Sequence, residues 1–261
     1  GLRMESAIES GSEISIFYDP MIAKIVVWDL SRSAAHRKMQ YVLRQLICLG
    51  ITTNQAFLLE LFKHPEFLSG TYDTHFIKDR LDLSTLLASN KEAAFTAAIV
   101  ASLWGWHERE QSRTLLRHLP SGWRNNYYGP QEETYLYGEE EISLSYRYQD
   151  GSFSISDGQE GRTVQILDVK KGGIRVEIDG LQHSFSLSID GTKIFLHHAQ
   201  LGNITLEKKD RFPQKDAEKQ AGGYEAPMPS QIIKVLVEEG QQVHSGDPLI
   251  ILSSMKMENT I

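Results

Sequence analysis

Residues 93–106 read AAFTAAIVASLWGW, a stretch that would be apolar on nearly every side of a helix. Ser89 and Glu92 just before it have the spacing of a capping box, in which a hydroxyl and a carboxylate satisfy the free amides of the first turn. A helix with no polar face cannot lie on a surface and needs structure around it. The chain downstream supplies that structure. From about 134 to 207, runs such as Ile142–Tyr148 (ISLSYRY) and Ile174–Ile178 (IRVEI) alternate apolar with polar residues, the period of a strand with one buried face. Asp150-Gly151, Asp157-Gly158, Asp179-Gly180 and Asp190-Gly191 punctuate these runs, and Asp-Gly tolerates the positive φ of tight hairpins. The expectation is an antiparallel β-barrel wrapped around a long central helix, with Trp104 and Trp106 as barrel packing.

Upstream the pattern is mixed. Residues 14–28, ISIFYDPMIAKIVVW, predict two strands broken at Asp19-Pro20. A helix follows, capped by Ser33, carrying Ala35, Met39, Val42, Leu43 and Leu46, and ended by Gly50. A second begins after Thr53 with Phe57, Leu58, Leu61 and Phe62, and stops before Pro65. Past the barrel, residues 207–224 (EKKDRFPQKDAEKQAGGY) are charged and lack an apolar stripe, the composition of a linker. The last stretch, APMPSQIIKVLVEEGQQVHSGDPLIILSSMKMENTI, holds short strands around Ile232, Val235 and Val237 and around Leu249 and Ile251, with turns at EEG and SGDP. The fold class expected is α+β and multidomain, divided as 1–88, 89–207, a linker at 208–224, and 225–261.

A formal charge of -7 over 261 residues excludes a generally basic surface, so no nucleic-acid partner is expected. No apolar run approaches the roughly 20 residues of a membrane span, and none is expected. Cys48 is the single cysteine, which rules out an intrachain disulfide and a cysteine-rich zinc site. It stands among Leu46, Ile47 and Leu49 and reads as packing. His197-His198 falls in a strand, where neighbours face opposite sides, so the pair does not make a metal face. No metal site is expected. Asn203-Ile-Thr205 matches a glycosylation sequon, but nothing accompanies it to suggest secretion. The opening GLRMESAIES has no initiator Met and no signal segment, and predicts the interior of a longer polypeptide.

Met255-Lys256-Met257 closes the chain's chemistry. A lysine in a hairpin is ordinarily a solvated turn residue, and methionine ordinarily fills gaps in a core. Here the triplet follows Ala226-Pro-Met-Pro229 by about thirty positions, with EGQQVHSGDPL between them. In that arrangement it resembles the biotin carboxyl carrier domain, with Ser254 where the family commonly has Ala and Ser230 where it has Gly. At the other end, LRMESAIESG, YDPMIAKIVVW, GITTNQAFL and HPEF with THFI after it resemble the C-terminal lobe of a biotin carboxylase. With the barrel, which is similar to the BT domain, the set resembles the α subunit of a biotin-dependent acyl-CoA carboxylase. The 3-methylcrotonyl-CoA branch is preferred to the propionyl-CoA branch, with the acetyl-CoA enzymes as a further alternative.

The resemblance implies biotin bound covalently to Lys256, with Met255 and Met257 as cofactor-side contacts. It implies that Arg3, in the R-x-E-S motif, is the catalytic arginine that stabilises negative charge on biotin, with Glu5 orienting it; a surface ion pair is the plainer reading. ATP, Mg2+ and bicarbonate would be handled upstream of Gly1, so this chain alone is expected to be inactive. The implied partners are a carboxyltransferase β subunit, in an α–β hetero-oligomer, and a biotin protein ligase. The implied location is the bacterial cytoplasm or the mitochondrial matrix. Two other classes stay open: a lipoyl-type carrier, against which Met-Lys-Met argues, and a noncatalytic assembly protein. The carrier's second half would follow the lysine, so the terminal segment is expected to be incomplete or paired with another chain.

Overall fold

The computed structural model describes residues 1–6, 8–9, 12, 21–81, 90–123, 125, 129–210, 230–244, 246–254 and 257–260, with the backbone alone at 254 and 257–259. The chain divides into two compact units, Ser31–Gln214 and the combination of Gly1–Leu30 with Lys215–Ile261.

In the second of these, β1 (Leu2–Ser6) pairs antiparallel with β2 (Ala23–Val27), Leu2 opposite Val27 and Ser6 opposite Ala23. The strand expected in residues 14–18 lies outside the described residues. The Ser31–Gln214 unit begins with α1 (Arg32–Gln45), α2 (Gln55–Leu61), α3 (Pro65–Ser69) and α4 (Phe76–Arg80). The cap of α1 is Ser31 rather than Ser33: its Oγ accepts from the Ala34 amide at 3.2 Å, two residues before the expected position. The helix also ends early. Leu46 is extended, so Gly50, with φ +87°, shapes the following loop instead of stopping the helix. Arg32 ties the start of α1 to the end of α3 through the Phe67 and Leu68 carbonyls at 3.0 and 3.3 Å. Rings of His36, Phe62, Phe67 and Phe76 fill the space between these helices.

The long helix α5 (Lys91–Ser112) has Asn90 as its cap, Oδ1 accepting from the Ala93 amide at 3.0 Å; Ser89 lies outside the described residues. Ala94, Ala97, Ala98, Ile99 and Val100 have no exposed surface. Around it runs a closed barrel of β3 (Gln131–Tyr137), β4 (Glu140–Gln149), β5 (Ser152–Ser156), β6 (Gly161–Lys170), β7 (Gly173–Ile178), β8 (Leu181–Asp190), β9 (Lys193–His198) and β10 (Gly202–Lys208). The strands follow one another as antiparallel hairpins. β10 then closes on β3, with Lys208 opposite Tyr135.

Turn chemistry sets the register. Asp150-Gly151 links Gln149 to Ser152 and Asp179-Gly180 links Ile178 to Leu181, with φ near +50° and +84° in each pair, the conformation of type I′ turns. Asp190 instead ends a strand, and Gly191-Thr192 makes that turn. Asp157 opens a four-residue loop, where its Oδ1 accepts the Gln159 and Glu160 amides at 2.8 and 2.9 Å. With the register fixed, alternate residues such as Ile174, Val176 and Ile178 point at the helix. Trp106 packs on Phe153 and Tyr148 at ring distances of 5.1 and 4.7 Å, and its Nε1 donates to the Ser121 carbonyl at 3.1 Å.

One polar chain enters this core. Tyr135 donates to Glu133 Oε2 at 2.6 Å, so Ser102, 3.0 Å away on the central helix, donates to the Tyr135 oxygen. Glu133, 10% exposed, also faces Arg109 at 3.3 Å and Lys208 at 3.2 Å. Burial, then the Glu133 carboxylate, pushes the Tyr135 phenol well above the ordinary range. No helix among the described residues is long and apolar enough to cross a membrane.

Candidate carrier hairpin and arginine strand

The last described elements form a three-stranded sheet in the order β11 (Gln231–Val235), β12 (Ile250–Ser254), β13 (Met257–Thr260). The chain between β11 and β12 is turned twice. Near the first turn the Gln241 amide donates to the Glu238 carbonyl at 3.1 Å, with Gly240 at φ +85°. At the second, Asp247 Oδ2 accepts the His244 amide at 2.8 Å, with Gly246 at φ +101°. These are the EEG and SGDP turns expected from sequence. A bulge between Ile232 and Lys234 shifts the β11–β12 register, which twists the strand locally.

Pairing of β12 with β13 runs from Ile251 opposite Thr260 to Ser254 opposite Met257. Two positions separate Ser254 from Met257, and they are Met255 and Lys256, both outside the described residues. The register therefore brings two strand ends together on either side of the lysine. Met257 is placed by its backbone in β13. Leu252 is buried, while Ile232, Ile233 and Val235 of β11 are more than half exposed.

Arg3 lies in β1 opposite Val26. Arg3 and Glu5 are two apart, hence on the same face of the strand, and Arg3 Nε meets Glu5 Oε1 at 2.9 Å. Arg3 is 62% exposed at its side chain, so the pair is open to solvent and contributes little to stability. The contact holds the Nε side of the guanidinium.

His197 and His198 do face opposite sides of β9, and both are buried. His198 packs on Phe185 at 4.7 Å and near His183 at 5.4 Å. Burial, then His183 and His197, holds its pKa below the usual value. Among the described residues no group of three histidine, cysteine, aspartate or glutamate side chains is placed to hold a metal. His197 is not isolated: it meets Asn203 and the Arg44 carbonyl, a junction that sequence spacing does not disclose because its parts lie about 150 residues apart.

Three family profiles match in succession: the biotin carboxylase C-terminal domain over residues 1–79, the BT domain of the methylcrotonyl-CoA carboxylase alpha-subunit over 91–211, and biotin-requiring enzyme over 224–261. The three matches lie in that order on one chain, which belongs to the family of biotin-dependent carboxylase α subunits. It is 32% identical over 277 residues to the mitochondrial methylcrotonoyl-CoA carboxylase subunit alpha of Mus musculus, covering 99% of this chain and 38% of that protein. Identity to the Arabidopsis thaliana counterpart is 30% over 306 residues, covering 100% and 41%. To the propionyl-CoA carboxylase alpha chain of Ruegeria pomeroyi it is 27% over 275 residues, covering 100% and 39%. The chain thus spans about two fifths of the length of these relatives.

Proposed function

We propose that this chain is the carboxyl-carrier and subunit-joining portion of a biotin-dependent acyl-CoA carboxylase, and that Lys256 is its biotinylation site. The observation that carries the reading is the β12–β13 register, which leaves two residues, the second of them Lys256, between paired strand ends inside the biotin-requiring match. A short connection of this kind suits a lysine that must reach an enzyme. The free amine is nucleophilic once deprotonated, and attack on an activated carboxyl forms the amide as the activating group leaves. Biotin so attached would carry a carboxyl group between two active sites. The protein's part is to display the arm and keep it tethered, which replaces free diffusion by an effective concentration. Of the linker expected at 208–224, Lys208 ends β10 and residues from 211 onward lie outside the described residues; we assign the tether to the segment after the barrel. Domains at 1–88, 89–207 and 225–261 complete this reading.

Arg3 would present a permanent positive charge where negative charge develops, with Glu5 holding its Nε side. The barrel would join a carboxyltransferase β subunit, and a biotin protein ligase would modify Lys256. Methylcrotonyl-CoA is the favoured substrate branch and propionyl-CoA the next, following the relatives. The compartment would be the mitochondrial matrix or the bacterial cytoplasm.

Intact-mass analysis after coexpression with a biotin protein ligase tests the carrier. One biotin adduct is expected, absent in Lys256→Ala; no adduct, an adduct that survives the substitution, or a lipoyl adduct instead would overturn it. In the whole subunit, Arg3→Ala should slow biotin carboxylation by about 10²–10³-fold while leaving biotinylation of Lys256 intact. An unchanged carboxylation rate would return Arg3 to the role of a surface ion pair.

A further inference from the structure

Inside the Ser31–Gln214 unit, the α1–α2 segment meets the barrel through three polar side chains. Gln55 opens α2, while His197 of β9 and Asn203 of β10 stand opposite each other in the barrel ladder. Gln55 Nε2 donates to the carbonyls of Leu43 and Leu46 at 2.5 and 2.9 Å, which fixes Gln55 Oε1 as an acceptor. Asn203 Nδ2 donates to that oxygen and to the Cys48 carbonyl, both at 3.1 Å. Turning the Asn203 amide over would set its oxygen against two oxygens. Asn203 Oδ1 is therefore the atom presented to His197, and it lies 2.7 Å from Nδ1. On the other side of the ring, Nε2 is 3.0 Å from the Arg44 carbonyl. Both partners of the imidazole are oxygens without protons. A neutral histidine has one N–H and one bare nitrogen, so one of these two contacts would oppose lone pairs; an imidazolium donates to both.

We propose that Gln55, Asn203 and His197 form a proton-dependent latch that holds the α1–α2 segment on the barrel. Gln55 lies in the biotin carboxylase match and the other two in the BT match, so the latch joins two family segments. It stands independently of the carrier reading. His197 is 5% exposed, which makes an unmatched nitrogen there costly.

The charged and titratable groups around it come from each packed element. Arg44 of α1 and the mutually paired Glu60 and Lys63 of α2 line the same groove as His197. From β8 its ladder partner is the uncharged Ser186, with His183 farther along the strand beside His198. His198 Nδ1 accepts the Gln200 and Leu201 amides at 3.3 Å and so carries no proton. Its pKa is lowered by burial first and by His183 and His197 next, so acid costs stability at His198. Acid strengthens the latch at His197. The opposite signs separate the two residues.

The test uses this chain labelled with 15N histidine, together with amide hydrogen exchange. At about pH 5.5 both His197 ring nitrogens are expected to carry protons, because each faces an oxygen acceptor. Exchange protection in residues 43–61, corrected for intrinsic rates, should fall about tenfold between that pH and about pH 8, the scale of one lost hydrogen bond. Barrel amides in Ile174–Ile178 should not show that loss. His197→Gln, which can donate to only one of the two oxygens through its amide nitrogen, should leave residues 43–61 at the wild-type high-pH level throughout. A neutral His197 in the folded chain at the lower pH, protection in 43–61 that ignores pH, or pH dependence retained in His197→Gln would each overturn the latch. Should the variant fail to fold, the labelled wild-type chain still decides through the first two measurements.

Discussion

The barrel and the terminal three-stranded sheet are both antiparallel and both built from short hairpins, yet they meet water in opposite ways. Every barrel strand has two neighbours, because β10 closes on β3, and the inward residues wrap a helix whose middle is wholly buried. Among the described residues the terminal sheet is open, and β11 shows Ile232, Ile233 and Val235 to solvent. Closure removes strand edges, while an open sheet with apolar residues outward relies on partners or tolerates exposure. The regions therefore divide the work of the chain. Packing energy is concentrated in the barrel, while among the described residues the terminal sheet buries little.

The largest effect should come from hollowing the barrel. Phe153 is 1% exposed and lies 5.1 and 4.9 Å from the Trp106 and Tyr148 rings. Phe153→Ala should cost about 3–5 kcal/mol, the transfer and cavity terms together. Denaturant unfolding followed by tryptophan fluorescence reads this directly. A loss below about 1 kcal/mol would mean that the helix and barrel repack freely, and the contrast with the terminal sheet would collapse.

A smaller effect is expected from the polar chain inside the barrel. Tyr135→Phe removes the donor to Glu133 and the acceptor for Ser102, worth about 1–3 kcal/mol. Its pH signature is distinctive. The folded phenol holds its proton well above the usual pKa, because burial and the Glu133 carboxylate oppose the phenolate. The unfolded chain lets it ionise normally. Stability from Tyr135 is thus fully present below about pH 10 and lost as pH rises toward the folded value. Alkaline unfolding should flatten in Tyr135→Phe, and the part of the phenolate absorbance that this substitution removes should develop together with unfolding rather than before it. Tyr146, raised for the same first cause, will contribute a smaller slope of the same sign.

What sequence disclosed follows the same division. The central helix and the Asp-Gly hairpins were legible because one needs enclosure on all sides and the others need positive φ, both local requirements. Met255-Lys256-Met257 and the R-x-E-S motif were legible as residue types at fixed spacing, though Met255 and Lys256 lie outside the described residues. Ser33 was a misplaced cap because Ser31 and Ser33 offer the same hydroxyl, and backbone geometry chooses between them. Asp190-Gly191 was shifted by one for a similar reason. His197 read only as a strand histidine that makes no metal face, and Asn203 as a discounted sequon, because Gln55 and Arg44 reach them only through the folded chain. Long-range polar contacts leave no period in a sequence.

The smallest effect sharpens the comparison most. Ile232 is 57% exposed in β11, and its substitution removes apolar surface that water already touches. Ile232→Ser should change unfolding of the barrel by less than about 0.5 kcal/mol, the ordinary range for exposed positions. The biotin acceptance proposed for Lys256 should persist, since the β12–β13 pairing from Ser254 to Met257 does not involve β11. Mass analysis of the biotinylated variant, run beside its denaturation curve, reads both. If acceptance falls while barrel stability holds, then the exposed face of β11 is needed in modification, and its apolar residues are a contact surface that the carrier hairpin uses. If barrel stability falls instead, the two regions are energetically coupled, and the division of packing from chemistry drawn from their burial does not stand.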